Sequence, residues 1–282
     1  MIVALNGAFV AEADAMVSVR DRAFVFGDAV YEALRARAGH YFEPDRHMHR
    51  LRYGLDQLRV MVADAEFALL LPTGEELLRL NGLLAADALV YMQVSRGVAP
   101  RRHAFPNPSV TPTVLVTTTP FTAHRRLTEE GATAVTSEDV RWSRCDIKTV
   151  NLLGNVLANQ QAVERGAYEA ILVRDGYVTE ASHSNVFAVI GGTIRTHPAN
   201  RHILRGVTRD VVIACAVARG WPVEERPFTA EQLLAAPEVF LTGTTTDVMP
   251  IVAVDDTRIG DGRPGPVARA LAEDLSRRFA VL

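Results

Sequence analysis

Lysine is almost missing from this 282-residue sequence: Lys148 is the only one, and the other 29 basic residues are arginines. Cysteine is nearly as scarce. Cys145 and Cys215 are too few for a disulfide framework or a four-cysteine metal site. They read as small buried apolar residues in a reducing compartment, and no metal centre is expected. Long apolar runs are absent too. The longest candidate, VVIACAVA at 211–218, is flanked by Arg209, Asp210 and Arg219 and falls far short of the roughly 20 residues that span a bilayer. The opening stretch MIVALNGAFVAEAD has no basic region and soon turns acidic, so it does not read as a secretory signal. Nor is there an excess of charge of one sign. The formal net charge is −3, without the basic stripe of a nucleic-acid binder. What remains is 48% apolar residues, enough for a large core in one domain or two. The expectation is a cytoplasmic globular protein with neither membrane nor nucleic acid as partner.

Turn signals and periodicity divide the chain. Asn6-Gly7 between short apolar runs, and Asp175-Gly176 between Tyr168–Val173 and Tyr177–Ala181, predict two-residue hairpins. Val30 to Arg37 alternates as a half-buried strand does. From Pro44 to Val60 the spacing becomes helical, with Met48, Leu51, Leu55 and Leu58 on one face. Thr73-Gly-Glu-Glu76 predicts the start of a further helix through a capping box. Strands are predicted at 88–95, 113–119, 184–190, 193–196 and 239–242, and helices at 151–165 and 207–219, ended by Gly166 and Gly220. Without a steady βαβ alternation the fold class is α+β, an α/β arrangement in two domains. The polar stretch TPFTAHRRLTEE suggests an N-terminal domain at 1–119, a linker at 120–130 and a C-terminal domain at 131–282 carrying Lys148.

Four features could carry chemistry. A Schiff base needs an amine in its neutral form, which arginine does not provide, so the lone Lys148 in Arg-Cys-Asp-Ile-Lys-Thr-Val-Asn is the first. The alternative is a solvated surface charge. The second is Glu180 in Thr-Glu-Ala-Ser-His-Ser-Asn, an acid between two strand signals that could pair with a protonated ring nitrogen or simply end a strand. The third is Leu204-Arg-Gly206-Val207-Thr208-Arg209 at a helix start, where free amides can bind phosphate or Thr208 can act as a plain cap. The fourth is Gly243-Thr244-Thr245-Thr246, a source of hydroxyl donors after a strand. Gly260-Asp-Gly262 lacks the strand–glycine–helix context of a nucleotide site.

Taken together these residues resemble the class IV aminotransferases, pyridoxal-phosphate enzymes of fold type IV, and within them the D-amino acid (D-alanine) aminotransferases. The resemblance runs through Asp21-Arg-Ala-Phe-Val-Phe-Gly-Asp28, Tyr31-Glu32, Gln93-Val-Ser-Arg-Gly97 and Arg141-Trp142. It continues through Arg144-Cys-Asp-Ile-Lys148, Asn151-Leu-Leu, Tyr168-Glu-Ala170, Thr179-Glu180, Ser184-Asn-Val-Phe187, Thr196-His-Pro198 and Gly206-Val-Thr-Arg209. It implies two α/β domains with pyridoxal 5'-phosphate at their interface, a homodimer whose loops complete the site, and transamination between a D-amino acid such as D-alanine and a 2-oxo acid such as 2-oxoglutarate.

By the same resemblance Lys148 binds the cofactor covalently and shuttles the Cα proton, and Glu180 keeps the pyridine nitrogen protonated. Arg50, Val207, Thr208 and Thr244 hold the phosphate, while Ser184, Asn185 and Leu204 line the cofactor. The Arg-x-His pair in Pro100-Arg101-Arg102-His103 implies a carboxylate grip by Arg101, His103 and Tyr31. His183 and Thr245 fall on the substrate side. His183 departs from the family, which usually has a small serine-like residue there, and so bears on substrate range. Branched-chain L-amino acid aminotransferases, (R)-amine transaminases and aminodeoxychorismate lyases share Lys148 and Glu180. Arg101 and His103 separate them from the D-amino acid enzymes. A non-catalytic pyridoxal-phosphate-binding protein would lack the lysine or the acid.

Overall fold

The computed structural model describes residues 1–280; residues 281 and 282 of the expected C-terminal domain lie outside the described residues. The chain forms two compact units, Met1–Thr122 with Ile147–Asn151, and Ala123–Asp146 with residues 152–280. The short segment around Lys148 therefore groups with the first unit.

The first unit is built on an antiparallel sheet of β1 (Ile2–Leu5), β2 (Ala8–Ala11), β3 (Ala29–Arg37), β4 (His40–Tyr41), β5 (Asp87–Ser95) and β6 (Thr113–Pro120), in the order β2-β1-β6-β5-β3-β4. Its helices are α1 (Arg22–Phe26), α2 (Pro44–Leu58), α3 (Asp64–Ala68) and α4 (Leu70–Leu80). Asn6 and Gly7, at φ 52° and 81°, form the tight turn that their residue types favour. Strand β3 pairs with β5 along its whole length, from Ala29 opposite Ser95 to Arg37 opposite Asp87. Its inward positions Val30, Leu34 and Ala36 meet Leu51 and Leu55 of α2 and Leu77 and Leu78 of α4 in one core. Gly54 brings α2 close to β3, because a Cβ there would stand 3.0 Å from Val30.

The capping-box start at Thr73 does not form. Thr73 lies inside α4 and its amide donates to the Leu69 carbonyl at 2.9 Å. Pro72 sits in the first turn, where its missing N–H leaves no bond unmade. The helix can therefore begin early enough to bury Leu70 with Leu77 and Leu78. Helix α3 was not anticipated from the sequence.

The second unit carries helices α5 (Arg125–Glu130), α6 (Leu153–Glu164), α7 (Val207–Ala218), α8 (Ala230–Leu234) and α9 (Pro266–Ala280). Its mixed sheet consists of β7 (Ala132–Glu138), β8 (Glu169–Arg174), β9 (Tyr177–Ala181), β10 (Asn185–Ile190), β11 (Thr193–Thr196), β12 (Val223–Glu225), β13 (Glu238–Gly243), β14 (Asp247–Val254) and β15 (Thr257–Arg258). The order is β12-β11-β10-β13-β14-β7-β8-β9, with β15 on β14. Parallel pairs β11–β12, β14–β7 and β7–β8 mix with antiparallel ones, as an α+β fold allows. Asp175 and Gly176, at φ 51° and 81°, close the β8–β9 hairpin. Phe187 and Phe240 stack across β10 and β13 with centroids 5.0 Å apart. Among the described residues no helix is long and apolar enough to cross a membrane.

Candidate active site

In the first unit the chemistry gathers around Lys148. Its segment runs beside β3, with Val30 and Thr149 forming an antiparallel bridge. The Tyr31 amide donates to the Lys148 carbonyl at 2.9 Å, and Thr149 Oγ1 donates to the Ala29 carbonyl at 2.9 Å. This backbone pairing places Lys148 Nζ 4.2 Å from the centre of the Tyr31 ring, and Tyr31 in turn packs on Tyr91.

One residue further along β3, Glu32 is fully buried where the strand's alternation calls for an apolar side chain. Helix α2 delivers its partners. Arg50 donates to it twice, Nε to Oε1 at 2.6 Å and Nη2 to Oε2 at 2.9 Å, and His47 Nδ1 lies 2.8 Å from Oε2. Burial raises the Glu32 carboxyl, but Arg50 and His47 outweigh it and bring the pKa down to about 2. Burial lowers the His47 pKa, with the positive charges of Arg50 and Lys148 adding to it against the pull of Glu32. Arg50, expected to bind phosphate, thus has one edge of its guanidinium held by Glu32.

Arg101 and His103 of this unit gather on Phe26. The Arg101 guanidinium lies 5.2 Å from that ring's centre and the His103 ring 5.5 Å from it. Tyr31, the third residue expected at the carboxylate, packs against Lys148 and Tyr91.

In the second unit Glu180, on β9, is the centre. It is 5% exposed and accepts from three donors: Arg141 Nη1 at Oε1, and at Oε2 both Asn185 Nδ2 and the Leu204 amide, each at 3.0 Å. Asn185 Nδ2 also donates to the Leu204 carbonyl at 2.9 Å. Burial lifts the Glu180 carboxyl to about 6 against the attraction of Arg141. The group is still mostly ionised at neutral pH, beside an arginine that stays charged.

Arg141 is itself clamped. Nε and Nη2 donate to the two oxygens of Asp139 at 2.8 and 2.9 Å, and Thr179 Oγ1 and Arg174 reach the same carboxylate. Sequence reasoning assigned no role to Asp139, Arg141, Glu32 or His47. The available signals were an acid at a core position of a strand and a histidine three residues before Arg50.

Helix α7 starts at Val207 with no side-chain cap, leaving the first-turn amides of Val207 and Thr208 unclaimed by a side chain. Gly206 before it packs on Asn185, and a Cβ there would overlap Asn185 Oδ1. Gly243 lies against Thr246 and Ser184, just before Thr244 and Thr245. The Ser184 hydroxyl donates to Glu169 at 2.8 Å, the His183 amide donates to the same buried carboxylate at 2.6 Å, and His183 Nδ1 stands 3.4 Å from it. Ser184 and His183 are therefore organised by Glu169, a residue that the sequence reading quoted without a role.

Each unit carries donor chemistry of the kind pyridoxal phosphate calls for. The first unit offers one amine able to bind an aldehyde, and the second, taken by itself, offers one buried carboxylate for a ring nitrogen and helix-start amides for a phosphate.

Residues 29–254 match the family described as amino-transferase class IV. The D-alanine aminotransferase of Staphylococcus haemolyticus is 40% identical over 275 residues, covering 97% of this chain and 96% of that protein. That of Bacillus licheniformis is 39% identical over 269 residues, covering 95% and 94%. Among solved structures, a branched-chain amino acid aminotransferase of Escherichia coli superposes with TM-score 0.92 at 28% identity, over 99% of this chain and 94% of that one. A second branched-chain enzyme, from T.th. and solved with pyridoxamine 5'-phosphate, gives 0.89 at 31% identity, over 99% and 93%.

Proposed function

Because this chain belongs to the class IV aminotransferase family, we infer that it is a pyridoxal-phosphate-dependent transaminase moving amino groups between D-amino acids such as D-alanine and 2-oxo acids. The observation that carries the choice of substrate is the near-full-length identity of about 40% to D-alanine aminotransferases. The branched-chain structures share the fold at 28% and 31% identity.

When bound, pyridoxal phosphate supplies a carbonyl that takes up the donor's amino group and a ring that stores the electron pair released at Cα. The chain's residues do the rest in this reading. The Lys148 amine takes the proton from Cα of the amino acid and delivers it to C4′ of the cofactor, so it acts as general base and then general acid. Glu180, held by Arg141, Asn185 and Leu204, keeps a proton on the pyridine nitrogen. Arg50, the Val207 and Thr208 amides and the Thr244 hydroxyl hold the phosphate and fix the ring in place. Arg101, His103 and Tyr31 grip the substrate carboxylate, with Thr245 and His183 beside the substrate side chain.

We place the protein in the cytoplasm and read it as a homodimer. Exposed Leu153, Val156 and Leu157 on α6 support a partner surface on the second unit, and exposed Met16, Val19 and Phe24 support one on the first. Sedimentation equilibrium of the purified protein tests this; a monomer at micromolar concentration overturns it. The activity is tested by offering D-alanine, L-leucine and (R)-1-phenylethylamine separately with 2-oxoglutarate and following the products. D-alanine is expected to react fastest, and faster turnover of L-leucine would favour the branched-chain reading.

A further inference from the structure

Helix α1 is short, but it is fastened at both ends. Asp21 caps its start by accepting from the Ala23 amide at 2.8 Å, and Gly27 ends it at φ 67°. Arg22 and Phe26, four residues apart, therefore share one side of the helix. Asp28 follows at once and binds two buried guanidinia, Arg22 Nε at 2.7 Å and Arg96 through Nε at 2.7 Å and Nη2 at 2.9 Å. With its charge matched this way, Arg22 reaches the loop that bears Arg101 and His103, and Nη1 donates to the Arg102 carbonyl at 2.7 Å. Phe26 completes the arrangement. Its ring takes the Arg22 guanidinium at 4.7 Å, the Arg101 guanidinium at 5.2 Å and the His103 ring at 5.5 Å.

The loop is pinned beyond that platform as well. Phe105 lies under the Arg96 guanidinium at 3.7 Å. At the stem Gly97 adopts φ 101°, and a Cβ there would overlap the Thr111 carbonyl. The Arg22 amide donates to the Gly97 carbonyl at 3.0 Å. An exposed loop carrying Arg101 and His103 would otherwise let both side chains sample many rotamers, and each rotamer frozen on binding substrate costs affinity.

We propose that Arg22 and Phe26 are positioning residues for the substrate carboxylate, holding Arg101 and His103 side by side on one aromatic ring before substrate arrives. This rests on the reading that Arg101 and His103 grip that carboxylate. Arg22 fixes the main chain between the two side chains, and Phe26 fixes the side chains themselves. Both substrates of a transaminase carry the same carboxylate, so the platform acts on the amino donor and the 2-oxo acid alike. It does not touch the proton transfer at Lys148.

The test is steady-state kinetics of the cofactor-loaded enzyme with D-alanine and 2-oxoglutarate. Phe26→Leu and Arg22→Lys are each expected to raise KM for both substrates by about 10-fold while kcat stays within about threefold. Phe26→Tyr keeps the ring and should stay within about twofold of wild-type KM. Adding Arg101→Ala to Phe26→Leu should raise KM little beyond Arg101→Ala alone, because both changes remove one interaction. Unchanged KM in Phe26→Leu and Arg22→Lys, with Arg101→Ala impaired, overturns the platform alone. So does full multiplication of the two effects in the double variant. Wild-type KM in Arg101→Ala itself sinks the carboxylate grip, and the platform with it.

Discussion

Tyr31 and Lys148 are joined twice: the Tyr31 amide donates to the Lys148 carbonyl at 2.9 Å, and Lys148 Nζ stands 4.2 Å from the centre of the Tyr31 ring. The backbone bond ties the lysine segment to β3, the strand that pairs along its full length with β5. The ring then offers the amine a face on which to rest. The one lysine of the chain is thereby carried by the most extensively paired part of the first unit.

That placement predicts where the cofactor attaches. Borohydride reduction of the cofactor-loaded protein should fix the label on the peptide containing Lys148. Label on the N-terminal amine alone would overturn the assignment. Lys148→Ala should still bind cofactor through the phosphate contacts yet turn over negligibly, because it loses both the attachment and the proton carrier.

Glu180→Gln should slow the chemical step by orders of magnitude, since an amide cannot hold the pyridine nitrogen protonated. The same variant has a pH signature in the cofactor-free protein. The Glu180 carboxyl ionises near 4.5 when unfolded and near 6 when folded. Below about pH 4.5 both states hold the proton and nothing is lost. As pH rises through 6, the folded state bears a cost of about 2 kcal/mol that the unfolded state does not. Between pH 4.5 and 7 the melting temperature of the wild type should therefore fall relative to that of Glu180→Gln. Parallel curves would show that the carboxyl is not raised.

Much of the fold is legible in the sequence. Asn6-Gly7 and Asp175-Gly176 close hairpins because their turn needs positive φ at both residues, a local demand that dipeptide identity reveals. Lys148 stood out by rarity and Glu180 as an acid among strand residues. The carboxylate networks were not legible, because they depend on packing. Glu32 meets His47 and Arg50 only once α2 lies on β3, and Asp28 meets Arg96 only once β3 pairs with β5. Asp139 and Arg141 lie outside regular structure, where no periodicity marks a shared target. The start of α4 was misread because Thr73-Gly-Glu-Glu76 satisfies a local capping pattern. Burial of Leu70 with Leu77 and Leu78 outweighs that preference.

Glu32 gives the opposite pH signature to Glu180. Its carboxyl ionises near 4.5 when unfolded and near 2 when folded. The ionised form thus stabilises the fold fully above about pH 4.5, and that stabilisation, about 3 kcal/mol, is lost as pH falls toward 2. Glu32→Gln leaves Arg50 and His47 without their buried partner and should cost about 3–5 kcal/mol near neutral pH. Denaturant titration from pH 7 down to 3 checks both statements. The wild type should lose its advantage over the variant on the acid side, and a pH-independent difference would refute the pairing as the cause.

Arg101 is the residue on which the substrate class is tested. If its guanidinium grips the α-carboxylate, Arg101→Ala removes a charge-assisted contact worth about 1.5–3 kcal/mol. That corresponds to a loss of about 10- to 150-fold in kcat/KM for D-alanine. An amine donor without a carboxylate, such as (R)-1-phenylethylamine, should lose far less, since it never made the contact. Stereochemistry follows from the same grip. With the substrate nitrogen on the cofactor and its carboxylate held by Arg101 and His103, two of the four groups on Cα are fixed. Only one enantiomer then turns its hydrogen toward Lys148 and its side chain toward open space. D-alanine should accordingly react far faster than L-alanine in the wild type, and Arg101→Ala should narrow that ratio as the carboxylate loses its anchor. Unchanged kinetics in Arg101→Ala would return the arginine to an ordinary exposed loop, and an unchanged D-to-L ratio in an otherwise weakened enzyme would assign the stereochemical choice to the side-chain pocket instead.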